Sequence, residues 1–337
     1  MGFPRAKGAV QSTVGGLFRF VIEVAESDGD GGCTGELGLA NRGAFAFFAS
    51  DEQETEMAFD FHKDRRAYFD QQTINAEAYV VPFVAEGMPL GEGTRVLEIG
   101  CAEGGVLRAF HRLGCTTVGV ELSPYRAEHA REFLREEIAS GRMEIICSDI
   151  FDVDFTGRFD SSTELTAPQA HRPRFDGYFD LIILKDVIEH IHGQEKLLRD
   201  MKRFLRPGGK IFFGFPPWQM PFGGHQQIAR SPFLSRLPFY HLLPAPVYRA
   251  ILKAFKEHPN TIKELMEIKQ TGISLERFER IVRRTGYRIV KKQLYAINPI
   301  YQFKFGLRPR KQIPVIGNVP YLRNFINTAA YYLIVTV

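Results

Sequence analysis

Three acidic residues occupy equivalent places in the sequence, each at or near the carboxyl end of a short apolar run of the kind that forms buried strands. Glu98 lies within the first run, Glu121 follows the second and Asp149 follows the third. Glu121, at such a strand end, is placed to accept hydrogen bonds from the hydroxyl groups of an adenosine ribose. Glu98 suits a cationic amino-acid group, and Asp149 suits an adenine amino group. Together they predict a pocket for a nucleoside joined to an amino acid.

A turn of small residues, Gly100-Cys101-Ala102-Glu103-Gly104-Gly105, follows the first apolar run. Glycine allows positive φ and leaves no side chain between the backbone and a ligand. The helix expected next would point its first amide groups at that ligand. Glu121 lies 21 residues after Gly100, as in dinucleotide-binding folds. Without a ligand, the same residues would form an ordinary tight turn between a strand and a helix.

A second group of chemically active side chains lies in Asp186-Val187-Ile188-Glu189-His190. Positions 186, 189 and 190 fall on one face if a helix begins here, as the apolar pattern over 187–205 predicts. In the structural interpretation, Asp186 caps that helix and His190 is hydrogen-bonded near the ligand. In the functional interpretation, His190 acts on a substrate together with His225, which lies in the segment Phe-Gly-Gly-His-Gln.

The elements that must position these residues alternate between strand and helix, which predicts a doubly wound α/β sheet with helices on both faces. Strands are predicted at 94–99, 117–120, 143–147, 179–184, 210–215, 287–297 and 329–337. Helical patterns cover 58–86, 106–113, 123–141, 187–205 and 274–284. Because ligands of such sheets bind beyond the carboxyl ends of the strands, the acids and the turn should meet there.

Three segments fall outside this alternation. Residues 1–56 contain a glycine-rich stretch and an acidic cluster, so we expect a poorly ordered leader before a domain that spans 57–337. Residues 160–174 form a polar insertion, predicted to be a surface loop. Residues 216–272 are rich in proline and aromatic residues, which predicts a cap over the site. Its aromatic side chains would contact an apolar or flat substrate or form the cap's own small core.

Composition limits the class of protein and its partners. Hydrophobic residues make up 45% and charged residues 24%, and no run of 18 apolar residues occurs, so a membrane-spanning helix is not expected. The net charge of +4 is too small to indicate nucleic-acid binding. Residues 57–337 carry 39 basic and 30 acidic residues, which favours weak contact with anionic partners or membrane surfaces, for example through 233–256. Four cysteines without metal-ligand spacing predict reduced thiols in a cytoplasmic protein.

The segments VLEIGCAEGG, VGVELSP, CSDIFD, FDLIILKDVIEHI and LRPGGKIFF occur in this order over about residues 94–215 and resemble the class I S-adenosylmethionine-dependent methyltransferases. The resemblance implies a Rossmann-like, seven-stranded, mostly parallel sheet with an antiparallel last strand, and S-adenosyl-L-methionine as cofactor. It implies methionine contacts at Glu98, Gly100, Ala102 and Gly104, a ribose contact at Glu121, and adenine contacts at Asp149 and Ile150. Lys185 and Asp186 would line the floor near the sulfonium, and Cys101 and Leu122 would also contact the cofactor. Ala102 stands where the family usually has glycine, which predicts a less tolerant turn.

The implied activity is methyl transfer by in-line displacement, in which positioning and exclusion of water supply much of the rate. A base is needed only where the acceptor has a proton to lose, and His190 and His225 are its candidates. With the apolar cap, this predicts transfer to oxygen or carbon of a small lipophilic molecule.

The sequence D-x-x-E-H also resembles the E-x-x-E-H metal-binding motif of ubiquinone-pathway and small-RNA 2′-O-methyltransferases. That resemblance implies a divalent metal ion held by Asp186, Glu189 and His190, with His225 as a fourth ligand. Asp186 is shorter than the first Glu of the motif, which weakens the metal hypothesis.

Two other classes of protein stay open. Gly100–Gly105 also fits the G-x-A-x-x-G fingerprint of NAD(P)-dependent Rossmann reductases. Tyr287 and Lys291 have the spacing of a reductase Tyr-x-x-x-Lys pair, but in a strand they would lie roughly 13 Å apart. The third class is a cofactor-binding module without catalysis, whose cap binds a partner.

Overall fold

The computed structural model describes residues 64–153, 177–317 and 319–337. The predicted leader at 1–56 and the predicted surface loop at 160–174 lie outside these ranges. All the described residues belong to one compact unit of the chain.

The described strands form an eight-stranded sheet in the order β3-β2-β1-β4-β5-β8-β6-β7. Their bounds are β1 Arg95–Ile99, β2 Thr116–Glu121, β3 Met143–Cys147, β4 Phe179–Lys185, β5 Leu205–Phe215, β6 Tyr287–Ile297, β7 Arg310–Lys311 and β8 Ala329–Thr336. Strands β1 to β5 pair in parallel, and β8 lies antiparallel between β5 and β6. The predicted mostly parallel sheet with an antiparallel last strand is confirmed. The predicted number of seven strands is wrong, because the two-residue edge strand β7 is too short to leave a pattern.

Helices cover both faces of the sheet. Their bounds are α1 Arg65–Asn75, α2 Val81–Ala85, α3 Gly105–His111, α4 Pro124–Phe133, α5 Arg135–Ala139, α6 Gln194–Met201, α7 Ala245–Ala254, α8 Pro259–Thr271, α9 Leu275–Arg284, α10 Tyr301–Phe305, α11 Pro314–Gly317 and α12 Arg323–Ile326. A π-helical turn at 76–80 joins α1 to α2. No helix within the described ranges is both long and apolar enough to cross a bilayer.

Consecutive residues of the central strands serve opposite faces of the sheet. Val96 and Phe212 pack in the core beneath α2 and α3, whereas Leu97 and Phe213 pack in the core beneath α6 and α9. Strands buried on both faces are expected in parallel sheets covered by helices, and they appear in sequence as nearly continuous apolar runs. This burial is the reason that the strand predictions hold.

The predicted helix over 187–205 is wrong at its start. Asp186 has a φ of 57°, in the left-handed region. Residues 188–190 form a 3₁₀ turn, Ile191 is extended, and α6 begins only at Gln194. Asp186 therefore does not cap a helix, and positions 186, 189 and 190 do not share the face of one.

Residues 216–272 form a largely helical segment that carries its own hydrophobic core. Leu234, Tyr248, Leu252 and Leu265 are fully buried there. The expectation that aromatic side chains of the cap form its own core thus holds for Tyr248, whereas Phe222 lines a cavity against the sheet.

Candidate functional site

A cavity of about 430 Å³ lies at the carboxyl ends of β1, β2 and β4. Strand ends and the turn after β1 form its floor, the segment 216–272 supplies one wall, and α10 supplies part of another. Doubly wound sheets bind their ligands at this edge.

The turn after β1 is held in left-handed conformations. Gly100 has a φ of 69°, Ala102 of 48° and Gly104 of 83°. A Cβ atom on Gly100 would lie 2.7 Å from Cγ2 of Val187, so this position also requires the absence of a side chain. The left-handed φ of Ala102 strains its backbone, and residues strained in this way are frequent at ligand sites.

Glu121 holds that strained turn in place. Its Oε2 accepts a hydrogen bond from the Ala102 amide at 2.8 Å, and its Oε1 accepts one from the Ser123 amide at 2.9 Å. Burial raises the pKa of this carboxyl group, and the two amide donors oppose the rise. Because each carboxylate oxygen can accept more than one hydrogen bond, Glu121 can still receive the two hydroxyl groups of a ribose.

Glu98 is buried in the cavity floor, and one of its carboxyl oxygens is an unsatisfied hydrogen-bond acceptor within the described part of the chain. Its Oε2 has no hydrogen-bond partner among the described residues. Burial raises the pKa of Glu98 to about 8, although the positive charge of Lys185 opposes this. A buried carboxyl oxygen without a donor is costly, and an ammonium group entering the cavity would relieve that cost. The amino-acid part of S-adenosylmethionine has such a group, so the site fits it.

Lys185 and Asp186 form an ion pair on the cavity wall. Burial alone would lower the pKa of Lys185, but the adjacent Asp186 carboxylate raises it above its usual range. The Asp186 amide donates to the Gly214 carbonyl on β5 at 2.7 Å, which fixes its left-handed backbone. Since the pair is neutral overall, it does not repel a cationic ligand as an unpaired lysine would.

Glu189, His190 and His225 meet at the cavity wall. One potential ligand atom from each lies within 4.8 Å of the other two. The two imidazole rings are 4.9 Å apart between centroids. Burial lowers the pKa of His190, with a further contribution from His225, and burial lowers the pKa of His225 to about 4. Both imidazoles are therefore neutral near pH 7, able to accept a proton or bind a metal ion.

The structure does not bring every predicted residue to the cavity. Leu122, Asp149 and Ile150 do not line it, and Asp149 accepts instead from the Phe151 amide at 2.9 Å. Gly104 packs against Leu134, where a Cβ atom would lie 2.4 Å from Cδ1. Cys101 does line the cavity. The predicted contacts of Leu122, Asp149 and Ile150 with the cofactor stay predictions.

Several cavity residues were not named as site residues in the sequence analysis, among them Glu264 and Glu103. Glu264 of α8 lines the cavity, and burial raises its pKa to about 7. In the sequence it stands in a polar helix like any surface acid, so no signal distinguished it. Glu103 is paired with Arg65 at 2.5 Å, and its place inside the small-residue turn is the signal that could have identified it.

The reductase-like pair lies away from the cavity. The Tyr287 hydroxyl donates to the Leu198 carbonyl at 2.9 Å, and Lys291 pairs with Glu86 at 2.5 Å. Both residues are in β6. Their side chains are engaged outside the cavity, in agreement with the prediction that a strand would keep them from acting as a reductase pair.

A family model described as a methyltransferase domain matches residues 73–292. A sarcosine/dimethylglycine N-methyltransferase of Halorhodospira halochloris is 29% identical over 128 residues, 38% of this chain and 39% of that protein. A ubiquinone biosynthesis O-methyltransferase of Xanthomonas oryzae pv. oryzae is 29% identical over 120 residues, 36% of this chain and 42% of that protein. The solved geranyl diphosphate C-methyltransferase from Streptomyces coelicolor A3(2) is 14% identical, with a TM-score of 0.44 and coverage of 77% of each chain. The match thus spans about two fifths of the length of these curated relatives.

Proposed function

Because this chain belongs to the class I S-adenosylmethionine-dependent methyltransferase family, we propose that it transfers a methyl group to an oxygen or carbon atom of a small lipophilic molecule. The observation that supports this most strongly is that Glu98 and Glu121, from two neighbouring strands, face one cavity beside the left-handed turn. The family match favours this activity over the reductase and over the module without catalysis.

In this proposal Glu98 accepts from the ammonium group of S-adenosylmethionine, and Glu121 accepts from its ribose hydroxyls. The backbone of Gly100 and Ala102 lies against the ligand, and Asp149 and Ile150 are kept as the proposed adenine contacts. When bound, the cofactor supplies a methyl group activated by the sulfonium. Because the Lys185–Asp186 pair is neutral overall, it does not repel the positive charge of the sulfonium.

The segment 216–272 would then close the acceptor side of the cavity. Met220 and Phe222 line it with apolar surface, which suits a lipophilic acceptor and excludes water. His225, or His190 beside it, would accept the proton of an acceptor hydroxyl. A positioned base of this kind contributes roughly 100- to 10,000-fold to a rate.

The same side chains could instead hold a divalent metal ion. The Glu189 carboxyl group and two neutral imidazoles are a suitable ligand set. Burial raises the pKa of Glu189, so a metal ion would have to displace its proton on binding. Asp186 is paired with Lys185, so three protein ligands take the place of the four that the sequence implied. A metal ion there would favour the deprotonated form of an acceptor hydroxyl.

Ligand-induced stabilisation tests the class of enzyme. S-adenosylhomocysteine should raise the melting temperature of the purified chain, since a ligand that binds only the folded state stabilises it. NADPH should leave the melting temperature unchanged. The opposite pattern would favour the reductase. Mass spectrometry of extracted metabolites incubated with the protein and cofactor would then identify the molecule that gains a methyl group.

Substitution of His225 tests the acceptor side. His225→Ala should lower methyl transfer by roughly 100-fold or more while S-adenosylhomocysteine binds as before. His192→Ala, an exposed histidine nearby, is the matched control. Two measurements distinguish a metal ligand from a general base. If calorimetry shows binding of magnesium, manganese or zinc that His225→Ala abolishes, His225 is a metal ligand. If a chelator leaves the activity unchanged, His225 acts as a base. Full activity of His225→Ala would contradict both.

We also propose a cytoplasmic location. Cys101 and Cys115 are buried free thiols and Cys147 is an exposed one. Such unpaired cysteines are typical of a reducing compartment.

A further inference from the structure

A closed loop between β7 and β8 exposes an unusual number of apolar side chains. Gln312 and Ile326 close it, because Nε2 of Gln312 donates to the Ile326 carbonyl at 3.3 Å. Within it, Val315 is 80% exposed and Tyr321 is 69% exposed. The exposed apolar side chains of the loop and of the chain leading into it, here called the apolar loop surface, are Phe305, Leu307, Ile313, Val315, Val319, Tyr321, Leu322 and Phe325.

The buried side of the loop is polar. The Arg323 guanidinium donates to Glu276 at 2.8 Å and to Glu279 at 2.9 Å, both on α9. The Asn324 side chain and the Tyr321 amide also donate to Glu276, at 2.6 Å and 3.0 Å. Charged residues inside and apolar residues outside reverse the usual arrangement of a surface loop. Because the polar contacts hold the loop, its apolar residues are free to serve another purpose.

The charge around the apolar loop surface is positive. The sequence contains no Asp or Glu from Arg280 to Val337. Arg308, Arg310 and Lys311 precede the loop, are exposed, and form no ion pair with any described residue. The surface therefore combines apolar side chains with a group of cations.

We propose that the apolar loop surface binds the surface of an anionic phospholipid bilayer. Apolar and aromatic side chains inserted at the level of the headgroups, flanked by Lys and Arg, are the features that hold a protein on such a membrane. A second copy of this chain is a poorer partner, because a two-fold contact would bring the like charges of both copies together. A nucleic acid would leave the apolar side chains exposed.

The apolar loop surface and the cavity have one residue in common. Phe305 belongs to this surface and also lines the cavity. Lys304, the residue before it, lines the cavity as well. A membrane bound here would meet the mouth of the cavity, so a lipophilic acceptor would enter without crossing water. This route rests on the proposed function, whereas membrane binding rests on exposure and charge alone.

Flotation of the full chain with vesicles tests the proposal. The wild-type protein should float with vesicles of phosphatidylcholine and phosphatidylglycerol, and much less with phosphatidylcholine alone. Val315→Ser with Tyr321→Ser should lower the partition coefficient by roughly tenfold or more. Arg308→Gln with Lys311→Gln should remove the preference for anionic vesicles. Leu113→Ser, which changes an exposed apolar residue between α3 and β2, is the matched control and should float like the wild type.

The proposal is overturned if the wild type floats with neither vesicle, or if Val315→Ser with Tyr321→Ser floats as the wild type does. A dimer that this double variant dissociates, without any vesicle binding, would assign the surface to a second copy instead. Calorimetry of S-adenosylhomocysteine binding to the same proteins separates the two proposals. Cofactor binding without flotation rejects only the membrane surface. Flotation without cofactor binding rejects only the proposed function.

Discussion

At the scale of a single residue, Glu121 links the shape of the turn to the proposed ribose contact. Its two oxygens accept from the Ala102 and Ser123 amides, so losing the charge weakens both contacts and the proposed ribose contact. Hydrogen bonds to a charged group contribute about 1.5–3 kcal/mol. Glu121→Gln should therefore weaken S-adenosylhomocysteine binding by roughly 10- to 100-fold. Calorimetry is the measurement, with Glu128→Gln, an exposed acid on α4, as the control. Equal affinities for both variants would contradict this role.

In the proposed site, Glu98 should make cofactor binding depend on pH. Burial raises its pKa to about 8 from an ordinary value of 4.5, so the folded protein without ligand holds a proton there at pH 7. This raised pKa means that the folded state is progressively disfavoured as pH rises from about 4.5 to 8, whereas an ammonium ligand prefers the ionised carboxylate.

Affinity for S-adenosylhomocysteine should therefore increase with pH up to about 8, by at most roughly tenfold per pH unit. Binding at pH 7 should release a proton, which calorimetry in two buffers of different ionisation enthalpy detects. Glu98→Gln should abolish the release. A wild-type protein that releases no proton would show that Glu98 is already ionised or does not face the ligand.

How far the sequence predicts single residues depends on whether a local pattern fixes their place. Glu98 and Glu121 were predictable because they end strands that the sheet aligns. Glu264 was not, because it reaches the cavity only through the packing of α8 against the rest of the molecule. His225 was named from its chemistry, and its nearness to His190 comes from folding of the segment 216–272.

At the scale of an element, the turn after β1 tolerates no side chain at Gly100. An alanine there would combine a left-handed φ with a Cβ atom 2.7 Å from Val187. Gly100→Ala should lower the free energy of unfolding by roughly 2–4 kcal/mol, the sum of backbone strain and overpacking. Gly141→Ala is the matched control, because Gly141 has a φ of 75° with nothing within 4 Å of the added Cβ.

Urea denaturation of the two variants separates strain from overpacking. Gly141→Ala should cost only about 1 kcal/mol, the strain alone. Adding Val187→Ala to Gly100→Ala should relieve the contact, although it leaves a small cavity. If the two glycine variants lose equal free energies of unfolding, overpacking against Val187 does not contribute to the cost of an alanine at position 100.

The strands were the elements that the sequence predicted best, since burial on both faces leaves a continuous apolar run. The start of the helix over 187–205 could not be predicted from its apolar pattern. The left-handed backbone of Asp186 is fixed by a hydrogen bond to Gly214, which lies on another strand and has no local signature. Strand β7 was missed because two residues carry no periodicity.

At the scale of the whole molecule, Arg323 joins the loop before β8 to α9. Its side chain is 8% exposed between Glu276 and Glu279. Arg323→Leu should cost about 2 kcal/mol at pH 7, because two partly buried carboxylates lose their shared guanidinium donor. Arg112→Leu, which breaks the exposed pair with Glu77 at 2.7 Å, should cost under about 0.5 kcal/mol.

The cost of Arg323→Leu should also depend on pH. Burial would raise the pKa of Glu276, but hydrogen bonds from the Tyr321 amide, Asn324 and Arg323 lower it to about 2. A lowered pKa stabilises the fold above about 4.5, and this stabilisation is lost as pH falls toward 2. Urea denaturation at pH 7 and pH 3 should therefore show a smaller difference between variant and wild type at the lower pH. A constant difference would mean that packing, not charge, is what Arg323 provides.

The place of β8 between β5 and β6 has a consequence during synthesis. β6 is made before β8, yet in the finished sheet it is joined to the parallel strands only through β8. While residues 329–336 are still inside the ribosome, the newly made chain has an unpaired edge along β5 and a β6 without its main neighbour. Open edges of this kind invite pairing with other chains. The emerging polypeptide is thus most prone to aggregate in the interval just before its last described strand is released.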